Sequence, residues 1–337
     1  MGRLEVFRKV LYLVAMISAA VAAEDSTAIP SEGLVAYYPF NGTFENNAGT
    51  EIATAENHGA TFSTDRFGNE NSCVAFDGNG AYLEIPDNDV FSISTTGALT
   101  VSVWVSPEVL NFQNAEAGGY VHWMGKGEPH QHEWVFRMYN RDLAQDQENR
   151  PNRMSAYAFN LEGGLGSGSY VQEEIQEKEW IHFVARYDIE SNRITLFKNG
   201  IQKDQDDLYD KTYGVQVQNG TAPLRVGTRS KWSYFQGCID DLRIYNRALS
   251  ESEILALYNE PAPKNNTEIE NPEKQSSSSS ELDNHKENET LSSSSSEVVN
   301  QEESQAIRKN PNTVNRSRTN SRNKKFFDLK GRLVREK

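Results

Sequence analysis

Positive charge is scarce over most of this chain. The 337 residues carry a formal net charge of −14. The segment Arg308–Lys337 holds 11 Lys/Arg against Asp328 and Glu336, a net of +9, which leaves −23 on the rest. An acidic body with a basic tail argues against nucleic-acid binding by the folded part. Long apolar runs are missing beyond the N terminus, so no later segment reaches the roughly 20 residues of a spanning helix. The early run is too short for one as well. Residues 1–23 place Arg3, Arg8 and Lys9 before the apolar Val10–Val21, with Val21-Ala22-Ala23 preceding Glu24. That is the pattern of a cleaved secretory signal peptide, and it predicts a secreted or cell-surface protein with a soluble mature part and no transmembrane segment. Only two cysteines occur, Cys73 and Cys238. In an exported chain a lone pair is expected to form a disulfide, with two buried free thiols as the alternative. A loop of that length would contribute roughly 5 kcal/mol when closed.

Aromatic residues all but vanish after Glu260. Pro261–Ala306 contains Ser276–Ser280 and Ser292–Ser296 among Asn, Glu, Gln and Lys. Such low-complexity composition cannot bury enough apolar surface to offset the entropy of ordering. The division expected is a folded domain at 33–260, a disordered Ser-rich linker at 261–307 and a basic C-terminal tail at 308–337. The tail's one apolar patch, Phe326–Val334 (FFDLKGRLV), loosely resembles C-terminal sorting tails of bacterial outer-membrane secretion systems. Cell-surface attachment through it is one expectation, and a basic peptide on a flexible linker is the other.

Within 33–260 the pattern is strand, turn, strand, with no internal repeat. Leu99, Val101, Val103 and Val105 alternate with Thr100, Ser102 and Trp104, the period of a half-buried strand. Trp134, Phe136 and Met138 alternate with Val135, Arg137 and Tyr139, and Ile181–Tyr187 behaves alike. Shorter runs stand at Ile194–Lys198, Leu224–Gly227 and Cys238–Tyr245. Turns are marked by Asp77–Gly80, Glu162–Gly164, Asn199-Gly200 and Asn219-Gly220. Ser250 and Glu253 form a capping box for one late helix, whose apolar stripe is Ile254, Leu255, Leu257 and Tyr258. Many short strands at regular spacing predict an all-β sandwich or barrel.

Several segments look like sites and lack a required part. The glycine-rich Gly163–Tyr170 has no Gly-Lys-Ser/Thr ending and no strand-to-helix setting, so it is not a phosphate cradle. His122, His130 and His132 lie within eleven residues, but no cysteine or carboxylate spacing completes a zinc site, and they read as loop histidines.

Eight segments occur in a familiar order: Gly33–Gly42 (GLVAYYPFNG), Asn57–Gly59, Val74–Pro86 (VAFDGNGAYLEIP), Leu99–Pro107 (LTVSVWVSP), Glu179–Asp188 (EWIHFVARYD), Ile194–Gly200 (ITLFKNG), Leu224–Gly227 (LRVG) and Phe235–Ser250 (FQGCIDDLRIYNRALS). Together they resemble the LamG-like jellyroll domain of the concanavalin A-like lectin/glucanase superfamily. The resemblance implies a two-sheet antiparallel jellyroll with adjacent terminal strands, and it makes a Cys73–Cys238 bridge plausible. It also implies a binding function for glycans or proteins, often with structural Ca2+. Asn41, Asp240 and Asp241 match positions that can carry that calcium or can hydrogen-bond the terminal strands. Asn46-Asn47-Ala48-Gly49 stands where the family usually has an Asp before Ser-Gly. The superfamily's glucanases carry an E-x-D-x-x-E strand motif, which this chain lacks.

If Trp134, Phe136 and Met138 face the core, Glu133, Arg137 and Tyr139 share the opposite face, which a jellyroll uses as a concave platform. Arg153, Tyr157 and Tyr170 could join them. Arginine, glutamate and tyrosine on a flat sheet suit a polar sugar or peptide, while an ordinary sheet surface with cross-strand charge pairs would look the same. The expectation is a secreted, non-catalytic carbohydrate-binding module of a kind associated with polysaccharide degradation or the cell surface. A glycoside hydrolase with an unrecognised carboxylate pair and a protein-binding adhesion domain are the rivals.

Overall fold

The computed structural model describes residues 28–116, 119–140, 154–209, 211 and 214–263, with the strand pair Phe326–Phe327 and Leu333–Val334. The expected signal peptide, nearly all of the linker, most of the tail and Arg153 lie outside the described residues.

Fifteen strands form the body: β1 (Leu34–Tyr38), β2 (Glu56–His58), β3 (Thr61–Ser63), β4 (Cys73–Asp77), β5 (Tyr82–Ile85), β6 (Ala98–Pro107), β7 (Tyr120–Lys126), β8 (Trp134–Tyr139), β9 (Met154–Asn160), β10 (Gly163–Val171), β11 (Ile181–Asp188), β12 (Arg193–Lys198), β13 (Ile201–Asp207), β14 (Leu224–Val226) and β15 (Gln236–Tyr245). They make two antiparallel sheets. The first runs β13-β12-β11-β6-β15-β4-β3 with β1 also on β15, and the second runs β10-β9-β8-β7-β14-β5-β2. Leu34 lies opposite Tyr245, so the first and last strands of the sandwich are neighbours. The compact unit ends at Ala262. No helix among the described residues is long and apolar enough to cross a membrane.

Alternation explains the core. Val101, Val103 and Val105 of β6 face inward, as do Trp134, Phe136 and Met138 of β8. Across the gap the Phe136 and Phe183 rings meet edge to face at 5.1 Å. The other face of β6 departs from expectation. Thr100, Ser102 and Trp104 are buried too, because the C-terminal helix Glu251–Tyr258 covers this sheet. Trp104 stacks on Tyr258 at 5.7 Å, and Ser102 Oγ meets His182 Nε2 at 2.8 Å.

That helix starts where its capping box predicts. Ser250 accepts from the Glu253 N–H, and the Glu253 carboxylate accepts from the Ser250 N–H. Ile254 and Leu257 pack on Val184, Phe197 and Tyr245, and each fully buried side chain contributes about 1.5–3 kcal/mol. Leu255, expected in the stripe, is 44% exposed, and Ala256 takes the buried place instead. Asn199 and Gly200, with φ of 53° and 75°, join β12 to β13 in a two-residue turn that pairs Lys198 with Ile201.

Candidate functional site

The outer face of the second sheet gathers an aromatic strip beside a buried polar knot. Strand β8 supplies Arg137 and Tyr139, strand β9 supplies Ser155, Tyr157 and Phe159, and strand β7 supplies Tyr120 and His122. Cross-strand register brings them together: Arg137 lies opposite both Ser155 and His122, and Tyr139 lies opposite Tyr120. The Arg137 guanidinium sits 3.6 Å from the Tyr157 ring centre and 4.4 Å from that of Tyr120, and its Nε donates to Ser155 Oγ at 3.2 Å. Such cation–π clamping fixes an arginine that would otherwise lose side-chain entropy on binding.

The glycine-rich β10 finds its purpose here. A Cβ on Gly168 would overlap the Tyr157 ring, and one on Gly166 would come within 2.6 Å of Phe159 Cε1. Because both positions lack a side chain, Tyr157 and Phe159 lie down over the edge strand. Their rings are 6.1 Å apart and within 28° of parallel. Phe159 is 8% exposed and the Tyr157 ring already carries Arg137 over one face, so a sugar C–H surface would meet only the part of the strip these leave open.

Beside the strip stands the knot. Glu116 Oε1 accepts from Ser230 Oγ at 2.8 Å and Ser233 Oγ at 2.7 Å, and Oε2 lies 2.9 Å from His122 Nδ1. Burial works to raise the Glu116 carboxyl, but the bonds from His122, Ser233 and Ser230 prevail and hold it at about 2. Burial pulls His122 down to about 4 against the pull of Glu116, so the imidazole is neutral at pH 7. Arg229 crosses the sheet over Gly125, where a Cβ would come within 3.3 Å of its Cδ, and lies 5.5 Å from the Phe159 ring. The Gly227–Phe235 loop carrying it is closed by the Phe235 N–H to Gly227 carbonyl bond, and it presents Trp232 with 65% of its surface exposed. Glu116, His122, Arg229 and Trp232 were not read as a group from sequence. His122 had the signature of a loop histidine yet lies on a strand. A tryptophan in the polar run Arg229–Ser233 (RSKWS) was the available signal.

Of the residues expected on the platform, Arg137 and Tyr157 are half-buried neighbours in contact. Tyr139 shares their face but is only 2% exposed, its ring meeting Tyr120 edge on at 5.2 Å, so it offers little surface. Tyr170 lies on the same face of β10, buried, opposite Ser155. Glu133 is elsewhere. It precedes β8, is 3% exposed, and its carboxylate binds the fully buried Lys126, which also reaches Asp87 Oδ1 at 2.7 Å and the Gly220 carbonyl at 2.9 Å. Alternation was extended one residue too far, past the end of the strand. Burial pushes the Glu133 carboxyl up while Lys126 pulls against it.

The expected calcium ligands fare differently from one another. Asp240 and Asp241 are consecutive, and a strand would point them to opposite faces. A bulge in β15, with Asp241 at φ 47°, turns both toward Arg66. Arg66 Nη1 meets Asp240 Oδ2 and Nη2 meets Asp241 Oδ2, each at 2.6 Å, and the guanidinium lies 4.4 and 4.5 Å from the Phe67 and Trp104 rings. Tyr37 OH donates to Asp241 Oδ1 at 2.8 Å. Asn41 is exposed. No cluster of three or more metal-ligating side chains occurs among the described residues. With a guanidinium on both carboxylates, this donor set does not fit a calcium ion. The other two histidines also stay apart from any metal set: His130 is exposed and meets Glu162 Oε2 at 2.7 Å, and His132 packs 6.0 Å from the Phe159 ring.

Cys73 and Cys238 lie on neighbouring strands β4 and β15 as free thiols rather than the expected disulfide. They are close enough to hydrogen-bond: that bond and then burial push the Cys73 thiol well up, while the same bond lowers the Cys238 thiol against the opposing effect of burial.

No curated protein matches the sequence. Among solved structures, domain 4 of an extracellular arabinanase from Geobacillus stearothermophilus, solved with arabinotriose, is 18% identical with a TM-score of 0.48, over 67% of this chain and 98% of that one. The ligand-binding domain of botulinum neurotoxin serotype D, solved with N-acetylneuraminic acid, is 13% identical with a TM-score of 0.50, over 69% of this chain and 52% of that one. The chain thus spans about half the length of the toxin domain. At 13% identity the likeness to the toxin domain is one of fold. Over residues 77–255 the sequence matches a laminin G family model described as concanavalin A-like lectin/glucanases superfamily, which is more than half of the chain, and the protein belongs to that superfamily.

Proposed function

We propose that this is an exported, non-catalytic carbohydrate-binding module that holds a glycan across the outer face of the second sheet. The observation that carries the reading is the strip of Tyr157 and Phe159 laid flat over side-chain-free positions of β10, with Arg137 clamped against it. Aromatic faces supply stacking area at little entropic cost, and the arginine and Ser155 supply polar contacts at the edge.

Hydrolysis finds less support. A retaining glycosidase needs two carboxyl groups about 5–5.5 Å apart, one of them able to give up a proton near neutral pH. Glu116, a carboxylate beside this face, is held at about 2, and its partners among the described residues are His122, Ser230, Ser233 and Arg229, with no carboxyl among them. Glu133 and Asp87 do share a site, but Lys126 stands between them.

The test is a glycan array of the mature protein, paired with an assay for released reducing sugar. Saturable binding without release is expected. Tyr157→Ala should weaken it about tenfold, the scale of one lost stacking contact, and Gly168→Val, which would drive the ring off the strand, should weaken it comparably with the fold retained. Binding that survives both changes would remove the strip from the function, and sugar release that persists through repurification would make the protein an enzyme.

A further inference from the structure

We propose that the glycan is anionic, and that Arg229 receives its carboxylate; this rests on the glycan-binding reading above. The guanidinium is 5% exposed, and burial lowers it only to about 10, so it is charged at neutral pH. Its Nε and Nη1 have no hydrogen-bond partner among the described residues. Nη2 lies 4.0 Å from Glu116 Oε2, beyond hydrogen-bond range, and that carboxylate is already engaged by His122 and two serines.

A buried charge without a partner is costly, and such groups are almost always paired. Arg225, on the neighbouring strand β14, follows that rule: Nε meets Glu84 Oε2 at 2.7 Å and Nη2 meets Glu128 Oε2 at 3.0 Å. Arg229 follows it only loosely: its one ion pair is the 4.0 Å contact with Glu116, and Nε and Nη1 stay unbonded among the described residues, at the edge of an aromatic strip and on the loop that exposes Trp232. Arg137, the second guanidinium of this face, has no carboxylate within ion-pair distance among the described residues; Ser155 and two rings hold it. On a body with a strong negative surplus, Arg137 and Arg229 together outnumber the one carboxylate paired with either of them among the described residues, Glu116, and that surplus makes a local positive field that favours an anionic sugar. His122 Nε2 is also buried without a partner among the described residues and is neutral, so it adds hydrogen-bonding capacity without opposing charge. A uronate carboxylate is planar and suits the guanidinium better than a hydroxyl does. For it to reach the buried nitrogens, the Gly227–Phe235 loop must yield.

The full-length mature chain would be titrated at 150 mM salt with polygalacturonate, with the same polymer carboxyl-reduced to its neutral form, with dextran sulfate and with a neutral arabinan. Polygalacturonate is expected to bind at least about tenfold more tightly than its reduced form, the scale of one charge-assisted hydrogen bond. Arg229→Gln should erase that preference, and Arg229→Lys should retain part of it. Attraction by the basic tail would survive Arg229→Gln, and a preference that does so overturns the assignment. Equal binding of the parent and reduced polymers overturns it too, as does a preference for dextran sulfate, which would point to a sulfate ester. Binding of arabinan alone would defeat the anionic site while leaving the glycan reading intact. Binding of none of the four would count against both. Should Arg229→Gln fail to fold, the comparison with Arg229→Lys decides.

Discussion

Arg66 and Arg229 are both more than nine-tenths buried, stacked on aromatic rings and close to carboxylates. They differ in whether the carboxylates are free to meet them. Asp240 and Asp241 each give Arg66 a 2.6 Å bond, while Glu116 stays 4.0 Å from Arg229 and spends its oxygens on His122 and two serines. A closed pair of this kind fixes the fold, tying the loop after β3 to β15. An open one has donors to spare for something not in the chain. Burial of a charge does not by itself identify a site; what separates the two arginines is that Arg229 keeps Nε and Nη1 unbonded among the described residues and only a 4.0 Å ion pair on Nη2.

The largest effect should come from breaking the closed member. Burial and the adjacent Asp241 charge push the Asp240 carboxyl up, with Arg66 pulling the other way. Arg66→Ala leaves two buried neighbouring carboxylates without their cation, and losing one partner of a buried pair costs about 3–5 kcal/mol. The denaturant midpoint of that variant should fall accordingly, while glycan affinity of the folded fraction stays at the wild-type level. Arg229→Gln should do the reverse, and equal stability losses from the two would erase the distinction between them.

A second, smaller effect is acid sensitivity. Burial first, then the Arg243 and Arg66 charges, lower His182 to about 3 beneath the closed region. An unfolded histidine titrates near 6.5. Between those values the unfolded chain binds the extra proton, so stability is full above pH 6.5 and drains as pH falls toward 3, by about 1.4 kcal/mol per unit. His122, in the open region, has the same sign but runs out at about 4. Denaturation curves at pH 7, 5.5 and 4.5 should show this slope, flattened alike by His182→Gln and His122→Gln, and only a further curve at pH 3.5 should show the larger effect of His182→Gln. Identical slopes in wild type and His182→Gln would mean the imidazole is not buried neutral.

The sandwich was legible in the sequence because its evidence is local. Period-two alternation marks β6, β8 and β11, Asn199-Gly200 marks a turn, and Ser250 with Glu253 marks a helix start. What the alternation could not show is what lies over each face. β6 reads as half-buried, yet the late helix covers its polar side. The site is less legible for the same reason. Arg137 and Tyr157 were found by face, but Glu133 was carried along by a pattern that begins one residue later. Glu116, His122 and Arg229 are separated by up to 113 positions and meet only through the pairing of β7 with β14 and the loop after it. The glycine run of β10 looked like a motif without a function, because the rings it accommodates belong to another strand.

The smallest expected effect is none, and it bears on the same comparison. Asp240 and Asp241 are the acids a calcium ion would need, and calcium takes six to eight oxygens. Here Arg66 holds one oxygen of each carboxylate, Tyr37 OH holds another, and the Asp241 N–H donates to Asp240 Oδ1 at 2.8 Å, so little coordination capacity is left. Excess chelator should therefore move neither the melting temperature nor the glycan affinity of the wild type. In Arg66→Ala the two carboxylates are released, and added calcium should then restore part of the lost stability by filling the cation's place. Wild-type destabilisation by chelator would show instead that an ion and the guanidinium compete for these carboxylates, and that the closed region is open after all.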